Sequence, residues 1–187
     1  MIKNKSELID NILEFNEAFV NNGDYKVFAT TKTPEKKVVI LSCMDTRLTE
    51  LLPKAMNIKN GDAKLVKNAG ATIMHPFGST VRSILVAVYE FNTKDVVVVG
   101  HHGCGMSNLN TDSIMNKMLS RGINSEVIST LNNSGINVGE WLHGFESVED
   151  AIRKSVKSLE NHPLMPKDVT VSGLIMDPET GKLEVVN

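Results

Sequence analysis

Two short, unbroken apolar runs constrain the fold more than anything else in the chain: Val38-Val-Ile-Leu-Ser42 and Asp95-Val-Val-Val-Val-Gly100. Each is too short for a stable helix and too rich in β-branched residues to favour one. Neither alternates with polar residues, as a strand with one wet face would. They read as strands buried on both sides, which requires a parallel sheet covered by helices. Helical-period segments stand between them. Leu48 to Met56 is closed by Lys59-Asn-Gly-Asp62, and Gly78 to Phe91 carries Val81, Ile84, Leu85 and Val88. A further strand, Ala63 to Lys67, runs into Asn68-Ala-Gly-Ala71.

The flanking segments extend the pattern. From Ser6 to about Val20, Leu8, Ile9, Ile12, Leu13, Phe15 and Phe19 recur at helical spacing, with Ser6 as N-cap and Asn22-Gly23 as stop. Thr111 to Ser120 and Asn124 to Leu131 are helical, and a polar Asn132-Asn-Ser-Gly135 break leads to Trp141. Ser147 to Glu160 is a helix with Ser147 and Asp150 in capping-box-like spacing, ended by His162-Pro163. Val169 to Met176 and Leu183 to Val186 flank Asp177-Pro-Glu-Thr-Gly181, a hairpin turn by composition. The alternation predicts right-handed βαβ crossovers and a three-layer α/β fold. Its central sheet is mostly parallel with helices on both faces, and a C-terminal hairpin adds an antiparallel edge strand. No repeat or linker divides the chain, so residues 1–187 are expected to form a single domain.

Composition narrows the function classes. Twenty basic against 22 acidic side chains give a formal charge of −2, which offers no footprint for nucleic acid or an anionic membrane. No apolar run approaches the roughly 18–20 residues of a membrane span. Met1-Ile-Lys-Asn-Lys-Ser-Glu-Leu lacks an apolar core and a cleavage site, so no signal peptide is expected. A cytoplasmic location follows as the expectation, and its reducing conditions argue against pairing the chain's two cysteines.

Those two cysteines sit in short polar clusters, Cys43-Met-Asp-Thr-Arg47 and His101-His-Gly-Cys104-Gly105. Cys43 and His101 each directly follow a buried strand, and the carboxyl ends of parallel strands form the crevice where ligands bind. Two thiolates and an imidazole suit zinc, and three protein ligands leave a fourth position for chemistry. Asp45 could take that position or accept a hydrogen bond from a hydroxide there, and Arg47 is suited to holding the carboxylate bidentately. Plainer readings stand beside these: two buried thiols acting as small hydrophobes, and an ordinary surface ion pair. His75, before Pro76, could shuttle protons or play a structural part, and His102, His143 and His162 read as structural or solvent-facing.

With these residues in place, the chain resembles the β-class carbonic anhydrases, especially their short prokaryotic branch. Cys43-Met-Asp-Thr-Arg47, Lys67-Asn-Ala-Gly-Ala71 and Gly100-His-x-x-Cys-Gly-Met106 match in order and rough spacing. Trp141-Leu142, His162-Pro-Leu164, Gly173-Leu174 and Asp177-Pro-Glu-Thr-Gly-Lys-Leu183 look like that branch too. The resemblance implies one Zn2+ per chain held by Cys43, His101 and Cys104, with Asp45 and Arg47 as the catalytic pair. It implies reversible hydration of carbon dioxide to bicarbonate and a proton, by attack of a hydroxide held on the zinc. It also implies a homodimer or dimer of dimers, in which the N-terminal helix (about 5–22) packs on the partner and part of Asn68–Ala71 lines the pocket. Met44, Ile73, Met74 and Phe77 are expected near an apolar pocket for the gas.

One departure concerns Gly103, where many members of that branch carry an acidic residue. Two alternatives remain open on the same residues. One is hydrolysis of carbonyl sulfide or carbon disulfide; the other is a non-catalytic zinc-binding sensor or partner module. A nucleic-acid zinc ribbon is the least favoured reading, since paired Cys-x-x-Cys knuckles and a basic surface are both missing.

Overall fold

Strand β1 (Val38–Cys43) is buried along its whole length, and β3 (Asp95–His101) beside it is buried except near its start. The computed structural model in which they are seen describes residues 6–186. Met1–Lys5, which carry part of the segment read above for a signal peptide and the start of the expected helix, lie outside the described residues. The chain divides into two compact units, Met1–Lys32 and Thr33–Asn187.

The second unit is built on a five-stranded sheet of order β2-β1-β3-β4-β5, with β2 at Ala63–Asn68, β4 at Thr170–Met176 and β5 at Leu183–Val186. The first four strands are mutually parallel and β5 runs antiparallel to β4, as the sequence pattern predicts. Val39, Leu41, Val96 and Val98 pack against α3 (Ser79–Phe91) and α7 (Val148–Glu160) in one apolar layer. Val38, Ile40 and Val99 pack with Leu48 and Leu52 of α2 (Leu48–Ala55) in a second. Helices thus cover both faces, which explains why β1 and β3 tolerate no polar alternation.

The chain leaves β1 toward β2 through α2 and returns through α3 to β3, on the other side of β1. That reversal makes a switch point between β1 and β3, the place where open α/β sheets bind ligands. Ser42 pairs with Val99, so Cys43 and His101 emerge at the same edge of the sheet. Close packing also dictates two glycines. A Cβ on Gly100 would lie 2.8 Å from Ile152 Cγ1, and one on Gly173 would lie 2.8 Å from Ile152 Cγ2.

Helix ends follow local chemistry. Ser147 Oγ accepts from the Asp150 amide at 3.2 Å, as the capping spacing suggests. Asn110, Asn124 and Asn137 cap α4 (Thr111–Ser120), α5 (Ser125–Asn133) and α6 (Val138–Leu142) in the same manner. The short α6 around Trp141 is not evident from periodicity, because five residues carry too little of it. Among the described residues no helix is long and apolar enough to cross a membrane.

The N-terminal unit contains α1 (Glu7–Asn22) and a 3-10 turn at Asp24–Phe28. The helix stops at Gly23 in the left-handed conformation, φ 74°, as expected. Ser6 has extended backbone but makes no side-chain cap, so that part of the expectation fails; Glu7 and Asp10 in the first turn complement the helix dipole instead. No residue of α1 is buried, and Leu8, Ile12 and Phe15 are exposed.

Candidate metal centre

Cys43 ends β1, His101 ends β3, and Cys104 lies three residues further along a turn that Gly103 makes at φ 63°. The three side chains are buried, and their donor atoms lie within 4.8 Å of one another. The sulfurs are 3.8 Å apart and both thiols are free. Two Zn–S bonds of roughly 2.3 Å at a tetrahedral angle would span about the same distance. His101 Nδ1 lies 2.9 Å from the His102 carbonyl oxygen, so Nδ1 carries the proton and donates it there. This leaves Nε2 as a lone-pair donor, buried and without a hydrogen-bond partner. A buried nitrogen with its lone pair beside two thiols fits a soft divalent cation, and the donor set favours zinc.

Asp45 and Arg47 meet as the sequence suggests. Arg47 Nε donates to Asp45 Oδ1 at 3.0 Å, Nη2 donates to Oδ2 at 2.8 Å, and the Arg47 amide adds a third bond to Oδ1 at 2.9 Å. Arg47 Nη2 also donates to the Gly103 carbonyl at 3.2 Å, tying the two clusters together. The guanidinium holds the Asp45 carboxyl well below the usual carboxylate range. Asp45 Oδ2 stands 3.7 Å from His101 Nε2.

The thiols are electrostatically unequal. Burial pushes Cys43 up, but the close His101 ring and the backbone amides of Asp45 and Gly70 outweigh it and bring Cys43 down to about 7. In the metal-free chain the ring does this as the imidazolium, with a proton on Nε2 where a metal ion would otherwise take the lone pair. Burial and the neighbouring Cys43 sulfur push Cys104 up to about 11, although the Met106 amide acts in the other direction. Contact with Cys43 raises His101.

The sequence profile of the family described as carbonic anhydrase matches residues 38–183, which contain all five of these residues. The chain belongs to the β-carbonic anhydrase family. It is 54% identical over 183 residues to "Putative carbonic anhydrase YvdA" of Bacillus subtilis (strain 168), covering 98% of this chain and 93% of that one. The crystal structure of a β-carbonic anhydrase from Trichomonas vaginalis superposes with a TM-score of 0.85 at 32% identity, covering 97% of this chain and 98% of that one. A carbon disulfide hydrolase of Acidithiobacillus thiooxidans is 31% identical over 156 residues, 79% of this chain and 76% of that protein.

Within this β-carbonic anhydrase fold, Asn68 braces the turn after β2: its Nδ2 donates to the Thr72 carbonyl at 2.8 Å and its Oδ1 accepts from the Thr72 amide at 3.1 Å. A cavity of about 460 Å³ lies alongside, lined by Ile73, Met74, Met106 and Phe145 together with polar residues of the 143–155 segment. Phe77 lies elsewhere, with its ring 5.1 Å from that of His162 in a separate apolar groove, and Met44 is exposed without lining the cavity. Of the four residues expected near an apolar pocket, Ile73 and Met74 line this cavity, and Met44 and Phe77 do not.

The histidines divide as the structural reading expects. His75 Nδ1 accepts from the Phe77 amide, and buried His162 links Pro76 to Leu164. His102 is exposed, and His143 lines the cavity. Gly103 occupies backbone that L side chains rarely adopt, so an acidic residue there would be strained in this turn. Sequence reading missed the main-chain bonds that hold the turn after Cys104, Ser107 amide to Cys104 carbonyl at 2.9 Å and Phe145 amide to Met106 carbonyl at 3.1 Å, because a main-chain role leaves no residue-type signature.

Proposed function

We propose that this chain catalyses the reversible hydration of carbon dioxide to bicarbonate and a proton, using one zinc ion per chain held by Cys43, His101 and Cys104. The observation that carries this reading is the buried, unpartnered His101 Nε2 beside two sulfurs 3.8 Å apart, with an Arg-clamped carboxylate next to it. Bound zinc supplies a Lewis acid that lowers the pKa of water to about 7. Asp45, ionised and fixed by Arg47, is an acceptor that can orient a water or take the fourth position itself. Arg47 holds that choice of orientation by joining the Asp45 and Gly103 loops. Ile73, Met74 and Met106 offer apolar surface to an uncharged gas.

The relative named a carbon disulfide hydrolase makes sulfur analogues the second reading, since such a substrate is also linear and uncharged. The nearer resemblance to a protein named for carbonic anhydrase favours the first. The reading extends to one carbonic-anhydrase-like domain over 1–187, located in the cytoplasm. It further assumes a homodimer or dimer of dimers in which the exposed apolar stripe of α1 packs on a partner subunit. Stopped-flow hydration of carbon dioxide, on protein of measured zinc content, tests the activity alongside carbon disulfide turnover. Carbon dioxide turnover exceeding that of carbon disulfide is expected. The reverse order would transfer the assignment to the sulfur substrate, and no turnover of either at one zinc per chain would indicate a binding module.

A further inference from the structure

The loop between α6 and α7 reaches back across the chain to the cysteine turns. The Phe145 amide donates to the Met106 carbonyl at 3.1 Å, and the Asn108 amide donates to the Phe145 carbonyl at 2.8 Å. Ser107 and Phe145 pair as a short parallel bridge, reinforced by Ser107 Oγ donating to the Glu146 carbonyl at 3.3 Å. These bonds pin the turn that begins at Cys104, two residues before Met106. The approach is close because residue 144 is glycine: a Cβ there would lie 1.9 Å from the Met106 oxygen.

The Phe145 side chain works on the other cysteine's surroundings. Its Cε1 lies 2.7 Å from where a Cβ on Gly70 would stand, so the ring fills the space beside Gly70 at φ 78°. Both Phe145 and Met106 pack against the apolar layer that contains Cys43 and Cys104. The two turns that Phe145 touches stand next to the ligands: the Ser107 amide donates to the Cys104 carbonyl at 2.9 Å, and the Gly70 turn lies against β1, which ends at Cys43. One residue, distant in sequence from both cysteines, therefore braces the turn beside each.

We propose that Phe145 is a positioning residue for the metal centre, its backbone fixing the turn that follows Cys104 and its ring fixing the Gly70 turn beside Cys43. Groups that hold metal ligands in place are worth about 10–100-fold in metal affinity or activity when lost. The inference rests on the reading of Cys43, His101 and Cys104 as metal ligands.

Cobalt(II) tests it, because its absorption reports thiolate ligation and coordination geometry independently of turnover. Chelator competition and visible spectra of the full chain are compared for wild type, Phe145→Ala, Phe145→Leu and Phe145→Tyr, with thermal unfolding as the check on folding. Phe145→Ala should bind cobalt about 10–100-fold more weakly, with altered ligand-field bands, while Phe145→Tyr restores the wild-type spectrum. Phe145→Leu keeps the core largely filled, carries the test should Phe145→Ala fail to fold, and should show a smaller shift in the same direction.

Gly70→Ala supplies an independent arm. Its loss of cobalt affinity should shrink in the Gly70→Ala, Phe145→Leu double variant, because the shortened side chain clears the place where the new Cβ lands. Lowered thermal stability in folded Phe145 variants with unchanged cobalt affinity and spectrum would overturn the proposal and leave Phe145 a packing residue. A wild-type chain that gives no thiolate-to-cobalt absorption would overturn the metal-centre reading itself, and the proposal with it.

Discussion

Gly100→Ala places one methyl group at the point where the sheet meets the helix beneath the metal centre. The new Cβ would stand 2.8 Å from Ile152 Cγ1, 2.9 Å from Ile152 Cδ1 and 3.0 Å from Val148 Cγ1. Carbon atoms prefer about 3.5–4.0 Å, so something must move by roughly 0.5–1 Å. Ile152 is fully buried and is also held against Gly173, so it cannot simply swing away. Overpacking of this kind costs about 1–3 kcal/mol. The smaller entropy of the unfolded alanine chain offsets about 0.4–1 kcal/mol. A net loss of about 1–2 kcal/mol is expected, or roughly 2–8 °C in Tm for a chain of this size.

Ile152→Val removes the Cδ1 contact and by itself costs about 0.5–1.5 kcal/mol. In its presence the Gly100→Ala penalty should fall by about half, a non-additivity that urea unfolding at fixed protomer concentration can resolve. Neutral or stabilising behaviour of Gly100→Ala would refute the packing argument. So would a penalty left unchanged by Ile152→Val.

Further outcomes follow from the centre and its surroundings. Asp45→Asn should keep zinc in place by metal analysis while slowing carbon dioxide turnover; loss of the metal instead would show that Asp45 has been given the wrong role. In metal-free protein the thiolate absorbance should rise in two steps, the first near Cys43's value of about 7 and the second near Cys104's value of about 11; a single step at the ordinary thiol value would contradict the inequality. Because the folded Cys43 value lies below its unfolded one of about 9, the unfolded state binds more protons between 7 and 9. Metal-free wild type should therefore gain stability over Cys43→Ser as pH rises through that window and lose the gain as it falls, measured by urea unfolding. Gly144→Ala, whose Cβ would meet the Met106 oxygen, should lower stability by about 1–3 kcal/mol, and unchanged unfolding would count against the close approach.

The parts of this molecule legible in its sequence are those where residue type and position coincide. β1 and β3 announce themselves because a strand buried on both faces must be apolar throughout, and Gly23 because only glycine enters the left-handed region cheaply. The convergence of Cys43, His101 and Cys104 was readable because each of the first two directly follows such a strand. Strand order was not, since it depends on which way the chain turns after β1. The absence of a Ser6 side-chain cap and the existence of α6 turn on one hydrogen bond and five residues respectively, below what periodicity resolves. Phe145 stayed hidden because it meets Met106 and Gly70 through backbone bonds and ring packing between segments far apart in sequence. Phe77 lines a different cavity from Ile73 and Met74 for the converse reason: proximity in sequence does not survive the turn at Pro76 and Gly78.

The central claim is that three side chains hold one zinc ion on which the hydration of carbon dioxide depends. Chelated protein titrated with zinc, with carbon dioxide hydration followed by stopped flow in the same samples, tests it most directly. Turnover should climb linearly to one zinc per chain and then stay flat, and Cys104→Ala should show no such rise. Full turnover in zinc-free protein, or an undiminished rise in Cys104→Ala, would contradict the account.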